Sequence, residues 1–338
     1  MPAFQGLDRK IGKPLDVARF KKTAIELANL RKTQKEFEDL AKKIRFAKDS
    51  VNVKRCYVCG SSQRKKAGSV YGISYWSCEK CSHVYAGLCP GARSMEEFYR
   101  KDHTYAADYA NARTYRYRLK AIARPKIDFV KPYVVTKRKR WLDVGCGIGD
   151  IVVAAKEKGF APKGLEISKS SVRFARRTFG ISVSCEGLEQ VLFDEGEGAY
   201  DVISFFGVIE HISNFKEQLL IAKRLLSKNG LLVIEAPNAK SISTLSDFLY
   251  PDQVTRHMFP PFHIMAFTQK SICHLMKGMG FKPLAIWYFG LDFFNLLIHW
   301  SLQSERMAKG PLIDFLISHN NEFQSVIDQK EMSDEIIL

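Results

Sequence analysis

Hydrophobic and polar positions from residue 141 onward alternate between short apolar runs and amphipathic stretches. Five runs have the length of strands, namely 141–144, 162–165, 181–183, 200–206 and 230–238. The segments between them carry apolar residues at helical intervals. Two more runs, 281–289 and 333–338, bring the predicted strands to seven. Strands that alternate with helices predict an α/β fold with a doubly wound parallel sheet, whose ligands bind at the carboxyl ends of the strands.

The N-terminal segment has a helical pattern instead. Apolar residues between Pro14 and Ser50 recur at helical spacing, which predicts one long or two shorter amphipathic helices. Packing against the body of the protein, or against a second subunit in a homo-oligomer, is our main interpretation. A basic helix on a membrane surface is the alternative, although its apolar face is sparse.

The first predicted strand of the sheet opens into a glycine-rich turn. Gly145, Gly147 and Gly149 stand at alternate positions, where a backbone without Cβ atoms can turn sharply and approach a ligand. The following helix offers free N–H groups at its start. A dinucleotide fingerprint would have its third glycine where Asp150 stands, and it lacks the acid that Asp143 places two residues before the first glycine. The pattern therefore indicates another nucleotide cofactor, while the loop alone would also suit an ordinary strand–turn–helix connection.

A second acid follows the next predicted strand. Glu166 comes 21 residues after Gly145, close to the roughly 20 residues expected for a carboxylate that accepts ribose hydroxyls in a nucleotide-binding α/β unit.

Together these residues resemble motif I of class I S-adenosylmethionine (SAM) dependent methyltransferases. The resemblance implies a seven-stranded Rossmann-like sheet. It also implies that Asp143 and the loop with Cys146 hold the methionine end of SAM, and that Glu166 holds the ribose. Leu188 and Phe205 are further candidates for cofactor binding.

Charge is distributed unevenly along the chain. The formal net charge is +16, and residues 1–140 carry 33 Lys and Arg against 13 Asp and Glu. Such a basic segment suits nucleic acid, an anionic membrane surface or a phosphorylated substrate, and a merely solvated surface is the alternative. The chain has no secretory start and no run of about 18 uncharged apolar residues. We therefore predict a cytoplasmic protein without a transmembrane segment.

Four cysteines have the spacing of a zinc ribbon. Cys56 and Cys59 form one CxxC pair, and Cys78 and Cys81 form a second after eighteen intervening residues. Two such pairs can close a tetrahedron of thiolates around Zn²⁺, and four protein ligands leave no open position, so the predicted zinc is structural. A redox dithiol would need only one pair, and disulfides are rare in the cytosol.

A cysteine quartet, an aromatic and basic stretch and then motif I resemble bacterial methyltransferases that modify sugars or take part in polysaccharide synthesis. The resemblance implies a nucleotide-linked or polysaccharide-precursor sugar as acceptor, methylated on a hydroxyl oxygen or on a keto-sugar carbon. The predicted domains are a helical segment at 1–50, a zinc-ribbon-like domain at 51–110 and a methyltransferase domain at 111–338, with a substrate lid near 238–268. The helical segment before Cys56 is longer than in the pattern of that family.

Catalytic candidates lie after the fourth and fifth strands. His211 can take a proton near neutral pH, and Glu210 can orient it. The pair matches a recurrent motif of these methyltransferases, which makes His211 our first choice for the general base. His263 falls on a histidine of the family's Pro-rich loop, and His257 has weaker support. The alternative is that these side chains only cap a helix or tie down a loop.

Two other functions remain open from the sequence. An RNA methyltransferase would use the basic ribbon as a clamp on the phosphate backbone. A non-catalytic scaffold would keep SAM without transferring its methyl group. The resemblance favours an enzyme that acts on a small molecule.

Overall fold

The computed structural model describes residues 6–13, 27–45, 48–91, 93–94, 112–253, 258 and 263–338. Contacts between residues divide the chain into two compact units. One unit contains Met95–Glu235, and the other joins Met1–Ser94 to Ala236–Leu338.

Fourteen strands occur in the described residues. In chain order they are β1 Asp8–Ile11, β2 Val51–Asn52, β3 Arg64–Val70, β4 Ile73–Cys78, β5 Val84–Ala86, β6 Leu88–Cys89, β7 Arg140–Val144, β8 Ala161–Leu165, β9 Val183–Ser184, β10 Tyr200–Phe206, β11 Leu226–Pro237, β12 Met265–Ala266, β13 Ala285–Phe289 and β14 Glu335–Ile337.

The same residues form twelve α-helices. They are α1 Leu27–Arg45, α2 Ala112–Arg118, α3 Arg124–Val130, α4 Asp150–Glu157, α5 Lys169–Phe179, α6 Leu188–Glu195, α7 Phe215–Leu225, α8 Ile242–Leu249, α9 Gln269–Gly278, α10 Asp292–Gln303, α11 Pro311–Ser318 and α12 Asn320–Gln329. A π-helical turn, Leu119–Ala123, joins α2 to α3.

The unit Met95–Glu235 contains a parallel sheet with the strand order β11-β10-β7-β8-β9. Its helices follow the strands one by one, as the alternating sequence pattern predicts. The central strands are buried because both faces of such a sheet are covered, and Trp141, Leu142 and Phe205 are fully buried. The mixed α/β, Rossmann-like fold class is confirmed.

The other unit contains three groups of strands. Strand β1 pairs in parallel with β13, which pairs antiparallel with β14. A four-stranded sheet has the order β12-β5-β4-β3, and β2 pairs with β6. The cysteine ribbon therefore includes a strand from the C-terminal part of the chain.

The added strand is held by pairing and by neighbouring contacts. Met265 and Ala266 of β12 pair with Tyr85 and Val84 of β5. Helix α8 also packs on the ribbon, because Phe248 lies against Gly68, where a Cβ would come within 2.3 Å of the Phe248 ring.

A buried polar cluster anchors α10 in the same unit. His299 lies 3.2 Å from a carboxylate oxygen of Asp247 and 2.9 Å from the side-chain oxygen of Gln253. Asp292 accepts backbone N–H bonds from Ser243 and Asp334. Asp292 and His299 of α10 are thus both buried inside this unit.

All seven strands predicted from apolar runs are present as β7, β8, β9, β10, β11, β13 and β14. Strand β13 begins at Ala285 rather than 281, after Pro283, which has no N–H for a strand ladder. Strands β1 and β12 were not predicted, because β1 is short and largely polar and β12 has two residues.

The predicted N-terminal helix corresponds to α1, and residues 14–26 lie outside the described part. No helix among the described residues is long and apolar enough to cross a membrane. The contacts group residues 236–338 with the ribbon, whereas the sequence limits place them in the methyltransferase domain. The domain boundaries given from the sequence stay a prediction.

Candidate functional site

The glycine loop has a backbone that only glycine adopts without strain. Gly145, Gly147 and Gly149 have φ angles of 69°, 54° and 86°, in the left-handed region. A Cβ on Gly145 would come within 2.5 Å of Val208 Cγ2, and one on Gly149 within 2.3 Å of Ile181 Cδ1. The loop is therefore closely surrounded, and its backbone N–H groups lie at the carboxyl end of β7, beside the start of α4.

Asp143 is held by a chain of hydrogen bonds across the sheet. The indole N–H of Trp141 donates to Ser204 Oγ at 2.8 Å, and Ser204 donates to Asp143 Oδ1 at 2.6 Å. Asp143 is 2% exposed. Burial raises the pKa of this carboxyl to about 8, against the opposing effect of the bond from Ser204.

Glu166 lies beside the loop, as its spacing predicts. Its two carboxylate oxygens accept N–H bonds from Gly147 at 2.8 Å and from Ser168 at 2.7 Å. Burial raises the pKa of Glu166, while these bonds lower it. The carboxylate that would meet ribose hydroxyls is thus aligned by the backbone of the loop itself.

The remaining cofactor candidates are buried. Cys146 donates its backbone N–H to Leu165 O at 2.9 Å, and its thiol sulfur lies 2.5 Å from where a Cβ on Gly164 would be. Leu188 is the first residue of α6, and Phe205 lies within β10 between β7 and β11. A role for these side chains in cofactor binding stays a prediction.

Glu210 and His211 form a short 3₁₀ turn after β10. His211 Nε2 lies 3.7 Å from Glu210 Oε1, which is longer than a hydrogen bond. Glu210 is buried, and burial raises its pKa to about 8. Val208 of the same segment contacts the glycine loop, so this turn and the loop are neighbours.

His263 belongs to the other compact unit. It is half-buried, and its carbonyl oxygen accepts a hydrogen bond of 2.8 Å from the hydroxyl of Tyr75. His257 lies outside the described residues. Asn238, the first residue of the predicted lid, donates to the carbonyl oxygens of Glu331 and Ser333 and so holds the chain before β14.

The four cysteines of the ribbon converge. Their Sγ atoms all lie within 4.8 Å of one another, and the pairs Cys56–Cys81 and Cys59–Cys78 are each 3.5 Å apart. A zinc–sulfur bond of about 2.3 Å in a tetrahedron would place sulfur atoms about 3.8 Å apart. The donor set and its spacing fit a structural zinc ion.

Two ion pairs lie near the site, and Lys126 and Glu235 of one of them were not singled out in the sequence. Lys126 forms an ion pair with Glu235, with side chains 9% and 7% exposed. Arg118 binds Asp150, the first residue of α4, at 3.1 Å. Glu235 is the one acid in the apolar run 230–238, a signal that could have revealed it. Lys126 has no such signal, because it stands in a generally basic segment.

Two arginines of the basic segment have acidic partners. Arg118 pairs with Asp150, and Arg124 pairs with Glu157 at 2.8 Å. Arg116 is exposed, and the side chain of Arg113 lies outside the described part. This part of the basic surface is therefore partly neutralised by α4.

A glycine loop flanked by Asp143 and Glu166 at the carboxyl ends of parallel strands defines an α/β domain of the nucleotide-cofactor class. A family model described as a methyltransferase domain matches residues 109–286, more than half of the chain. The chain belongs to this family of methyltransferase domains.

Individual relatives are distant. Norajmaline N-methyltransferase of Rauvolfia serpentina is 30% identical over 127 residues, which cover 35% of this chain and 42% of that protein. A ubiquinone biosynthesis O-methyltransferase of Caulobacter sp. (strain K31) is 28% identical over 107 residues, covering 29% and 41%. The chain thus spans less than half the length of these two relatives. A SAM dependent methyltransferase structure from Archaeoglobus fulgidus aligns with a TM-score of 0.47 and 18% identity, over 70% of this chain and 98% of that one.

Proposed function

We propose that the protein transfers a methyl group from SAM to a small-molecule acceptor. The observation that carries the proposal is the arrangement of Asp143, the left-handed glycine loop and Glu166 within a methyltransferase-family domain. The close approach of the loop to its neighbours fits a ligand bound by backbone N–H groups, and the two acids fit its polar ends.

The residues have distinct parts in holding the cofactor. The loop and Asp143 hold the amino-acid end, and Glu166 accepts the ribose hydroxyls. When bound, SAM supplies a methyl group that is already strongly electrophilic. The protein therefore acts mainly by aligning donor and acceptor, which in favourable cases is worth on the order of 7 to 11 kcal/mol, and by removing a proton.

His211 is the general base in this proposal. It stands at the carboxyl end of β10, where a parallel sheet presents residues to its ligand, with the Glu210 carboxylate 3.7 Å away. His211→Ala should lower kcat by at least ~10²-fold, because a positioned base contributes ~10²–10⁴-fold, with SAM affinity nearly unchanged. The exposed His274, changed to alanine, is the matched control. Near-normal turnover of His211→Ala would exclude this role.

His263 is the second candidate for the general base, and His263→Ala tests it in the same way.

The acceptor class we propose is a nucleotide-linked or polysaccharide-precursor sugar. The support is the cysteine quartet ahead of motif I, which resembles the sugar-modifying methyltransferases, together with the basic N-terminal part of the chain, which suits substrate phosphates. Zinc, held by Cys56, Cys59, Cys78 and Cys81, is structural in this proposal. A cytoplasmic location and a homo-oligomer formed through the N-terminal helices remain predictions.

A second acceptor class is favoured by the relatives. Their names specify N-methylation of norajmaline and an O-methylation in ubiquinone biosynthesis. A phenolic oxygen or an amine would need the same alignment and the same proton removal, so the candidate base does not distinguish them from a sugar.

One experiment separates these acceptors. The purified protein is given SAM with a radiolabelled methyl group and, side by side, nucleotide sugars, catechol-type phenols, aromatic amines and total cellular RNA. Label in the nucleotide-sugar fraction supports the proposed acceptor, and mass spectrometry then locates the methyl group. Label in the phenol or amine fraction would support the second acceptor class instead. Label in RNA would indicate an RNA methyltransferase in which the basic ribbon binds the phosphate backbone. SAM binding without transfer to any cellular extract would favour a scaffold.

A further inference from the structure

Lys126 and Glu235 form a buried ion pair beneath the turn that carries the candidate base. Lys126 lies on α3, which precedes β7 along the chain, and Glu235 lies near the end of β11. The lysine ammonium is also 5.0 Å from the centre of the Phe206 ring. Two charges removed from water in this way rarely stabilise a fold more than a well-packed apolar pair would. The pair therefore suggests a role beyond stability.

Backbone contacts connect this pair to the turn. Glu235 is the register partner of Phe206, the last residue of β10, and the N–H of Gly207 donates to the carbonyl oxygen of Glu235 at 3.3 Å. Gly207 has a φ of +67°, and a Cβ there would lie 3.5 Å from Glu210 Oε1. A displacement of Glu235 would thus move the start of the segment that presents Glu210 and His211.

Charge connects the pair to the same turn. Within the same compact unit, the charged or titratable groups that act on Glu210 include Lys126 from α3, Glu235 from β11 and the neighbouring His211. Lys126 lowers the pKa of Glu210 and Glu235 raises it. The same two residues act in the same directions on Asp143 of β7, which also faces Asp150. Lys126 is therefore a cation that balances three buried carboxyl groups around the candidate site.

We propose that Lys126 is a positioning residue for the proposed methyl transfer, because it holds Glu235 against the segment that presents Glu210 and His211 and acts through its charge on the buried Glu210 carboxyl. This inference rests on the proposed function only for its effect on turnover. Its electrostatic part concerns the free protein and is measured without an acceptor.

The direct test is the titration of the Glu210 side chain, followed by NMR on protein labelled with ¹³C at the glutamate carboxyl carbons. The signal is assigned with Glu210→Gln. Lys126→Met should raise the Glu210 pKa and Glu235→Gln should lower it, each by about one unit, the smaller end of the range for a charge 4–6 Å away. The double variant should fall between them. Lys126→Arg, which keeps the charge, should stay near the wild type.

Opposite shifts distinguish this role from a structural one. If Lys126 only supported packing, Lys126→Met and Glu235→Gln would lower the melting temperature and leave the Glu210 titration unmoved or shifted in one direction, and either result overturns the inference. Should Lys126→Met fail to fold, Glu235→Gln and Lys126→Arg carry the test, since an unmoved titration in Glu235→Gln is equally decisive. Lys131→Met, at an exposed lysine just after α3, is the control and should change nothing.

Turnover supplies the second readout. Once an acceptor is known, the acidic limb of the kcat–pH profile should shift to higher pH in Lys126→Met and to lower pH in Glu235→Gln. SAM affinity should change little. A wild-type protein that methylates nothing would contradict the proposed function and leave the NMR shifts intact. An active wild type whose limb does not follow the Glu210 titration would overturn the positioning role.

Discussion

Asp143 depends on its neighbours for both its position and its charge. Ser204 donates a hydrogen bond to the carboxyl and is itself held by the indole N–H of Trp141, while burial raises the pKa of Asp143 from the ordinary 3.8 to about 8. The folded protein therefore holds a proton at Asp143 over a pH range in which the unfolded chain has released it.

This difference predicts a pH dependence of stability with a definite sign. Between about pH 4 and pH 8 the folded state binds more protons at Asp143 than the unfolded state, so the free energy of unfolding falls as pH rises through this window. One such proton contributes a slope of about 1.4 kcal/mol per pH unit. Asp143→Asn keeps an acceptor for Ser204 and removes the proton, so its stability should decline less steeply.

Urea unfolding of both proteins at pH 5, 6, 7 and 8 measures the two slopes. Asp201→Asn, at an acid whose pKa is lowered instead, should not flatten the decline and serves as the control. Equal slopes for wild type and Asp143→Asn would show that Asp143 is ionised throughout.

At the scale of elements, the connection between β7 and α4 combines a left-handed backbone with close contacts to its neighbours. Gly145 and Gly159 both have left-handed φ angles, 69° and 85°. A Cβ on Gly145 would press against Val208, whereas a Cβ on Gly159 would meet nothing within 4 Å. Alanine substitutions at the two glycines therefore distinguish the effect of an unfavourable backbone conformation from the effect of a steric clash with a neighbouring side chain.

Alanine at these two positions should have different effects on SAM binding. Each substitution introduces conformational strain of about 1 to 2 kcal/mol. Only Gly145→Ala also displaces Val208 and the loop that faces the cofactor, so it should raise the Kd for SAM by about tenfold or more, whereas Gly159→Ala should leave it within about twofold. Isothermal titration calorimetry measures both. Equal affinities in the two variants would mean that the loop does not form the binding surface.

Local patterns explain which elements could be predicted from the sequence. The seven strands were predicted from apolar runs. The glycine loop and the CxxC pairs are each recognised from a few adjacent residues. Strand β12 and the bond from Tyr75 to His263 depend on partners far along the chain, 188 residues apart for that bond. The Lys126–Glu235 pair spans 109 residues. No local spacing encodes such pairs, because only the folded topology decides which distant residues meet.

At the scale of the whole molecule, the ribbon is a sheet whose edge is completed from elsewhere in the chain. The cysteine cluster lies at the end of β4. In this sheet β4 has β3 on one side and β5 on the other, and β12 pairs with the outer edge of β5. Zinc would fix the turns between these strands and so support the sheet that holds the segment after residue 263.

Removal of one zinc ligand should therefore lower both metal content and stability. Cys59→Ser changes the one cysteine of the quartet that is not fully buried, so it leaves no cavity in the core. We expect loss of zinc by elemental analysis and a lower melting temperature, because metal binding to such sites adds directly to folding free energy. The exposed Cys185, changed to serine, should keep both. A Cys59→Ser protein that retains stoichiometric zinc would contradict a four-cysteine site.

The pairing of β12 with β5 sets a limit on how this protein can be recombined with others. A transplant of residues 48–91 alone would carry β5 with one edge unpaired and Gly68 without the ring of Phe248 against it. An open strand edge invites pairing with other chains. The smallest exchangeable piece is therefore discontinuous, residues 48–91 together with the stretch that contains α8 and β12, and a chimera that respects this boundary should remain monodisperse where a simple N-terminal fusion aggregates.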